Sequence, residues 1–517
     1  MTQTLSLHDN DLVSIQEARI LLEHLEEARG VLEGLPASLV DRVLSQVGEG
    51  LLANVSTYAE LSVAQSDYGT VDDERALIEW VLTDLLGEVR SQPDVGDLLE
   101  RAGAPGRPSH VEVALPKGVV ASLVPDWLAV PTLLSQALCA IKAKCPIVFS
   151  ARPRVHAACA QVVRDLRELA AGLGYPTDAL CLLSTYSPEG EEWLLGRGGV
   201  RMVIDSREYE SLSPRLTAGK DVYHATVGNN PVFVEHTADL ALCADQVVRG
   251  ASLCCGMLPG AEQSIVAEAE VSEALKGELR SRGCRFLSDE ESERLVRVLF
   301  APDGTPHREL IAKTARDLAR RADIPVSEDT LVLVTEKPYV SETSLYSRAK
   351  FGPVLSYYVE ESWQNACEKC IELILGSGHG NALAIFSQDP EVVRQFVLRK
   401  PVGRVLVNVG TGLGSTGLAS SLSKTLTITG WDVATTSGLG VTHADFVRWR
   451  QVGASAEPAS LELLRDAGAR KPGDCAAVPP EPVPDRITST TSTTHTSATW
   501  FSSLLESVRQ EHEEQEI

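Results

Sequence analysis

The chain has 517 residues, 44% of them hydrophobic and 23% charged, enough for two or three domains around a large core. Its formal charge of −24 repels phosphate backbones and anionic lipid, which argues against nucleic acid and membrane as partners. No run is apolar for long enough to span a bilayer, and the start MTQTLSLHDN has no basic, hydrophobic leader, so the expected location is cytoplasmic.

Residues 11–98 read as helices, because LVSIQEARILLEHLEEARGVLEGL and ERALIEWVLTDLLGEV repeat their apolar positions at helical spacing. HVEVALPKGVVASLVP then alternates as strands do, with Pro116 and Gly118 at a turn. From there strand and helix take turns. IVFS (147–150) precedes a helix over 155–173, and VRMVID (200–205), VYHATV and PVFVE follow. LVLVTE (331–336), PVLSYYV (353–359), ALAIFS (382–387) and RVLVNV (404–409) come later. Apolar strands separated by helices predict an α/β fold with parallel, doubly wound sheets and sites at strand C-termini. The eleven cysteines are scattered except for Cys254 with Cys255, and Cys367 with Cys370 in the helical stretch 362–375. The second pair reads as a buried stripe, and no metal site is expected. After about residue 452 a Pro-, Ser- and Thr-rich stretch cannot bury a core and reads as a linker. The end, TWFSSLLESVRQEHEEQEI, places Trp500, Phe501, Leu504, Leu505 and Val508 on one helical face, which either docks on a partner, or folds back on its own domain or frays in solvent.

A series of phrases, in order, resembles the CoA-acylating aldehyde dehydrogenases, including the N-terminal half of bifunctional aldehyde-alcohol dehydrogenases. They are SDYGTVDDE, KGVVASLVP, KAKCPIVFSARPRVHAA, GKDVYHATVGNNPVFVEHTADL, GAEQSIVAE, FGPVLSYY, GSGHGNALAIFSQD and GRVLVNVGTGLGSTG. The resemblance spans roughly residues 10–450 and implies the aldehyde dehydrogenase fold. Its expected parts are N-terminal helices and a Rossmann-like cofactor-type domain over 1–235, then a catalytic-type α/β domain over 236–420. A return segment over 421–452, the linker over 453–498 and the amphipathic helix over 499–517 complete the chain. For such enzymes the resemblance implies a cysteine thiolate that attacks an aldehyde, hydride transfer to NAD or NADP, and release of the acyl group to CoA. It further implies donors for the oxyanion and glycine-rich turns that admit the dinucleotide. The C-terminal arrangement resembles tails that load enzymes into bacterial microcompartments.

Laid against the family without gaps, the chain departs at each of these parts. Counted from Pro125, Leu128 falls where the family has the oxyanion-binding asparagine. Pro259 falls on the nucleophile, upstream of the retained Glu262. Cys255 or Cys254 then stands as a shifted nucleophile, or both are small buried loop residues. At the dinucleotide turn Arg207 and Glu208 replace paired glycines, so they obstruct the cofactor, or Arg207 meets a phosphate. Ser150, Arg207, Gly228 and Asn229 are the cofactor-site candidates. Lys350 precedes Phe351, Gly352 and Pro353 where other superfamily members carry a glutamate. Gly228, Asn229, Pro231, Glu262, Pro353, His379 and Asn408 are retained and read mostly as scaffold. Two functions compete: an acylating aldehyde dehydrogenase with rearranged loops, using NAD or NADP and CoA, or a catalytically inactive relative without cofactor. The inactive relative would bind a partner or assemble as a homo-oligomer or with an active paralogue. The coincident loss of nucleophile, oxyanion donor and glycines favours the second.

Overall fold

The computed structural model describes residues 9–101, 110–207, 212–226, 228–341, 343–376, 381–431 and 439–453, with Ser460, Glu462, Leu463 and Asp466. Most of the expected linker, the whole C-terminal helix 499–517, Glu208 and His379 lie outside the described residues.

Helices fill residues 10–91. The first, Asn10–Glu33, starts where the Asp9 side chain accepts hydrogen bonds from the Asp11 and Leu12 N–H groups at 3.1 and 3.2 Å. Ala37–Leu52, Val55–Ser66 and Val71–Trp80 follow. The periodic run ERALIEWVLTDLLGEV is not one helix: a π-helical turn at Val81–Leu85 separates Val71–Trp80 from Leu86–Ser91. That extra residue per turn keeps Val81, Leu82, Leu85 and Leu86 all facing the core.

Strands β1 (Leu98–Arg101) and β2 (His110–Pro116) pair antiparallel. Gly118, at φ 113, makes the turn predicted after Pro116, and the next strand enters a different sheet. Strands β3 (Val119–Leu123), β4 (Ile147–Ser150), β5 (Leu180–Leu182), β6 (Val200–Asp205) and β7 (Asp221–His224) form a parallel sheet in the order β5-β4-β3-β6-β7. Strands β8 (Pro231–Val234), β9 (Ser264–Glu268), β10 (Cys284–Phe286), β11 (Val332–Glu336), β12 (Val354–Glu360), β13 (Ala382–Phe386) and β14 (Arg404–Val407) form a second. Its order is β10-β11-β12-β9-β8-β13-β14, with every pair parallel. The chain then returns as β15 (Val447–Val452), which pairs antiparallel with the other side of β2.

Burial explains the difference between the sheets. Strands β3, β4, β8, β9 and β13 are buried at every residue, as helices cover both faces of a parallel sheet. Strand β15 is exposed along most of its length. The helix Ala129–Lys142 between β3 and β4 is buried on all sides, which fits its AVPTLLSQALCAIK sequence. The helix Pro153–Ala171 has proline in its first turn and buries Val155, Ala158, Cys159, Val162, Val163 and Leu166 as one stripe. No described helix is long and apolar enough to cross a membrane.

Candidate functional site

The order β5-β4-β3-β6-β7 reverses direction between β3 and β6, so the crevice beyond their C-terminal ends is the expected ligand position. Three side groups converge there. Asp205 ends β6, Ser150 ends β4, and Glu191 comes from the helix Pro188–Leu195. Arg207 folds back over this edge, with Nε 2.9 Å from Asp205 Oδ1 and Nη1 2.8 Å from Glu191 Oε1. Ser150 Oγ donates to Glu191 Oε2 at 2.7 Å, and His224 Nδ1 lies 3.2 Å from Asp205 Oδ2. Arg207, Glu191 and Asp205 are all buried. Burial alone would raise the Asp205 carboxyl, but His224 and Arg207 overcome it and hold it below its ordinary value. The backbone is engaged too: the Ser206 N–H donates to Leu123 O and the Arg207 N–H to Asp205 Oδ1, both at 3.1 Å.

Beside this cluster a second knot of hydrogen bonds closes the crevice. Gln136 Nε2 donates to Ser206 Oγ at 2.9 Å and to Thr427 Oγ1 at 3.1 Å, and those two hydroxyls lie 2.9 Å apart. Thr427 comes from the segment that bridges Ala225 through Thr429. Sequence reading found Ser150 and Arg207 but missed Glu191, Asp205, His224, Gln136 and Thr427, which carry no local motif.

The nucleophile segment lies between the helix Leu240–Ser252 and β9. Cys254, Cys255 and Gly256 are three consecutive left-handed residues, at φ 52, 54 and 73. For the two cysteines this conformation costs about 1–2 kcal/mol each. The Cys254 N–H donates to Asp73 Oδ2 at 3.1 Å, so the SDYGTVDDE segment holds this turn. Both thiols are buried. Desolvation, helped by the nearby Asp73 carboxylate, pushes the Cys255 thiol up to about 12 and Cys254 well above its ordinary value. That environment opposes the ionised thiol that a shifted nucleophile requires. Cys255 opens instead on a separate cavity of about 340 Å³ that includes Thr70, Asp73, Arg249, Thr314 and Glu328.

Gly228 lines a small chamber with Gly256, Met257, Ala261, Phe351 and Asn381. The chamber measures about 30 Å³, room for about one water molecule. Neither cysteine lines it. Asn229 is fully buried and donates from Nδ2 to Ser347 O at 3.0 Å, which ties a loop. Asn230 does the same work for the nucleophile segment, donating to Ala261 O at 3.0 Å. Leu128 is buried and left-handed at φ 51, directly before the helix Ala129–Lys142. Glu262 is buried, and burial pushes its carboxyl up to about 8. A Cβ at Gly250 or Gly410 would collide with that carboxyl, so it acts as a spacer between the helix Leu240–Ser252 and the GTGLG turn. Lys350 donates from Nζ to Tyr346 O and Arg348 O at 3.0 Å each, while burial pushes it down to about 7. Cys367 and Cys370 are free and buried on the inner stripe of the helix Trp363–Gly376.

No protein-family model matches the chain. A succinate-semialdehyde dehydrogenase (acetylating) from Clostridium kluyveri is 26% identical over 396 residues, which is 77% of this chain and 85% of that protein. The bifunctional aldehyde-alcohol dehydrogenase of Escherichia coli is 22% identical over 409 residues, 78% of this chain but 45% of that longer protein. A probable aldehyde dehydrogenase from Listeria monocytogenes superposes with a TM-score of 0.82 at 27% identity, covering 88% of this chain and 100% of that one. The chain therefore has the aldehyde dehydrogenase fold and is related to the CoA-acylating aldehyde dehydrogenases.

Proposed function

We propose that this chain is a non-catalytic relative of the CoA-acylating aldehyde dehydrogenases, which uses the fold to assemble with a second copy or an active paralogue. The observation that carries the reading is that Cys254 and Cys255 are both buried and that neither lines the small chamber formed by Gly228, Gly256, Ala261 and Asn381. The switch-point edge supports it. A dinucleotide pyrophosphate needs free backbone N–H donors and glycine-lined space. Here the Ser206 and Arg207 N–H groups are already used, and the two carboxylates Asp205 and Glu191 surround a single guanidinium. These residues do not fit the dinucleotide. Leu128 in place of the asparagine donor supplies no side-chain hydrogen bond to an oxyanion. Assembly has support of its own: β14 ends the seven-stranded sheet, and Val397, Leu398 and Val407 are exposed on it and on the helix before it.

The experiment incubates the full chain with NAD or NADP, CoA and short aldehydes including succinate semialdehyde, and follows reduced nicotinamide. The reverse reaction uses acetyl-CoA with NADH. No turnover in either direction is expected. CoA-dependent turnover that disappears in Cys255→Ser would overturn the proposal and establish the shifted thiol as nucleophile.

A further inference from the structure

A cavity of about 820 Å³ lies at the other end of the five-stranded sheet, where β3 and β6 begin. It is separated from the Asp205 edge by the length of those strands, about 16–20 Å. In a chain with 71 acidic and 47 basic residues, this groove reverses the balance, with five basic side chains and two acidic ones. Both acids, Glu26 and Glu33, are taken by Arg29 at 3.1 and 2.9 Å. Lys117 is held by Asp221 at 2.8 Å. Among the described residues, Lys144, Arg201 and Arg448 have no carboxylate at ion-pair distance.

Lys144 is the informative one. It is only 5% exposed, and its Nζ donates to a single acceptor, Leu35 O at 2.5 Å. Asp94, the nearest acid on that side, is bound by Lys142 at 2.5 Å, and Asp97 accepts the Asp94 N–H at 3.0 Å. Asp94 and Asp97 favour the Lys144 charge from beyond ion-pair distance but burial outweighs them, so a buried ammonium with unused donors is costly unless an anion completes it. Arg448 is exposed and donates to Lys117 O at 3.2 Å, and Arg201 is exposed with its chain over Gly118. Gly34, Gly96, Gly118 and Gly199 line the cavity and leave backbone uncovered. A Cβ at Gly118 would approach Arg201 Cγ to 3.1 Å, and one at Gly199 would approach Glu26 Oε1 to 3.0 Å. The remaining walls, Leu35, Pro36, Val95, Leu115 and Val119, are apolar.

We propose that this groove is a binding site for an organic phosphate of nucleotide size, with Lys144, Arg201 and Arg448 holding the phosphates and the apolar wall holding the organic group. The cavity falls within the range of small-molecule sites and exceeds what inorganic phosphate needs. Three cations of this kind suit a diphosphate, with the arginines offering paired donors to its oxygens.

The test is calorimetric titration of the full chain with ADP, pyrophosphate, inorganic phosphate and adenosine. ADP is expected to bind most tightly, pyrophosphate more weakly and adenosine not measurably, with affinity falling as salt rises. Arg201→Glu with Arg448→Glu, both exposed and outside the core, should weaken ADP by about tenfold or more. Arg201→Ser alone gives the same readout with less disturbance. An unchanged thermal midpoint in each variant keeps the comparison valid. No heat with millimolar ADP, or equal affinity in wild type and variants, overturns the proposal. Binding of inorganic phosphate as tight as ADP overturns it as well, because it leaves the apolar wall without a role. NAD binding that vanishes in these variants belongs to this groove. NAD binding that survives them belongs to the β3–β6 edge and counts against the non-catalytic reading.

Discussion

Replacing Arg207 by methionine should destabilise the five-stranded sheet, and the structure sets both the size and the pH dependence of the loss. The guanidinium neutralises part of two buried carboxylates, with ion-pair distances of 2.9 Å to Asp205 and 2.8 Å to Glu191. Removing one partner from a buried network leaves charges with neither solvent nor counter-ion, a loss of about 3–5 kcal/mol. In a domain of 150–250 residues each kcal/mol lowers the melting midpoint by about 2–4 °C, so the expected drop is about 6–20 °C. The sign with pH follows from Asp205. Its carboxyl is held below its ordinary value in the folded chain, so it contributes stability above the ordinary carboxylate range, lost as pH falls through the folded value. Without the Arg207 guanidinium the burial contribution, which raises that carboxyl, is opposed by His224 and the backbone N–H of residue 207. The variant should therefore lose part of its stability deficit on mild acidification, where Asp205 accepts a proton. Scanning fluorimetry of both proteins across acidic to neutral pH measures this. A midpoint change under about 2 °C at neutral pH would refute the network as a structural plug.

The other expectations are briefer. Cys255, pushed up to about 12, should react with iodoacetamide at neutral pH at least about a hundredfold more slowly than a free thiol, and peptide mapping after brief alkylation checks this. Glu262, raised from 4.5 to about 8, favours folding below its ordinary value and loses that contribution as pH rises toward 8. Glu262→Gln should flatten the melting midpoint across that window, a difference of roughly a few kcal/mol at the alkaline end. Phe396→Ala should cost about 3–5 kcal/mol, since the ring stacks on Phe233 at 4.5 Å and both are fully buried, and near-ultraviolet circular dichroism with thermal melts reports it.

The strands were legible because a parallel sheet covered on both faces needs apolar runs; IVFS and ALAIFS are such runs, and VRMVID and RVLVNV are broken by charged residues only where a side chain is exposed or at the sheet edge. Their order in the sheets was not, since β8 beside β13 joins residues some 150 positions apart without a local signature. The same limit governs the site. Arg207 was visible as a residue replacing glycine, and its two readings, obstruction or a phosphate contact, rest on what its guanidinium meets. The answer lay in Glu191, within an unremarkable GEEWLL helix, and in Asp205, which reads only as the polar end of a strand. Cys254 and Cys255 were visible as thiols near the right loop. Their left-handed backbone and burial depend on Asp73 and on packing with Met257 and Leu258, none of which the dipeptide reveals.

The two ends of the five-stranded sheet carry opposite charge, and this bears on any phosphate ligand. At the C-terminal edge the two carboxylates of Asp205 and Glu191 meet the one guanidinium of Arg207 and the His224 ring. At the N-terminal end three cations have no acid of their own. Low local dielectric makes both fields stronger than they would be in water. A pyrophosphate approaching the switch point thus meets like charge as well as filled space, while one approaching the opposite groove meets complementary charge and an open cavity. Restoring glycines at 207 and 208 removes the Arg207 guanidinium from the first location and leaves Asp205 and Glu191 there with less cation than before. Arg207→Gly with Glu208→Gly is accordingly expected to open the crevice without creating NAD affinity. Adding Glu191→Gln, which lowers the negative charge while leaving Ser150 a hydrogen-bond partner, is the change that should begin to admit a dinucleotide.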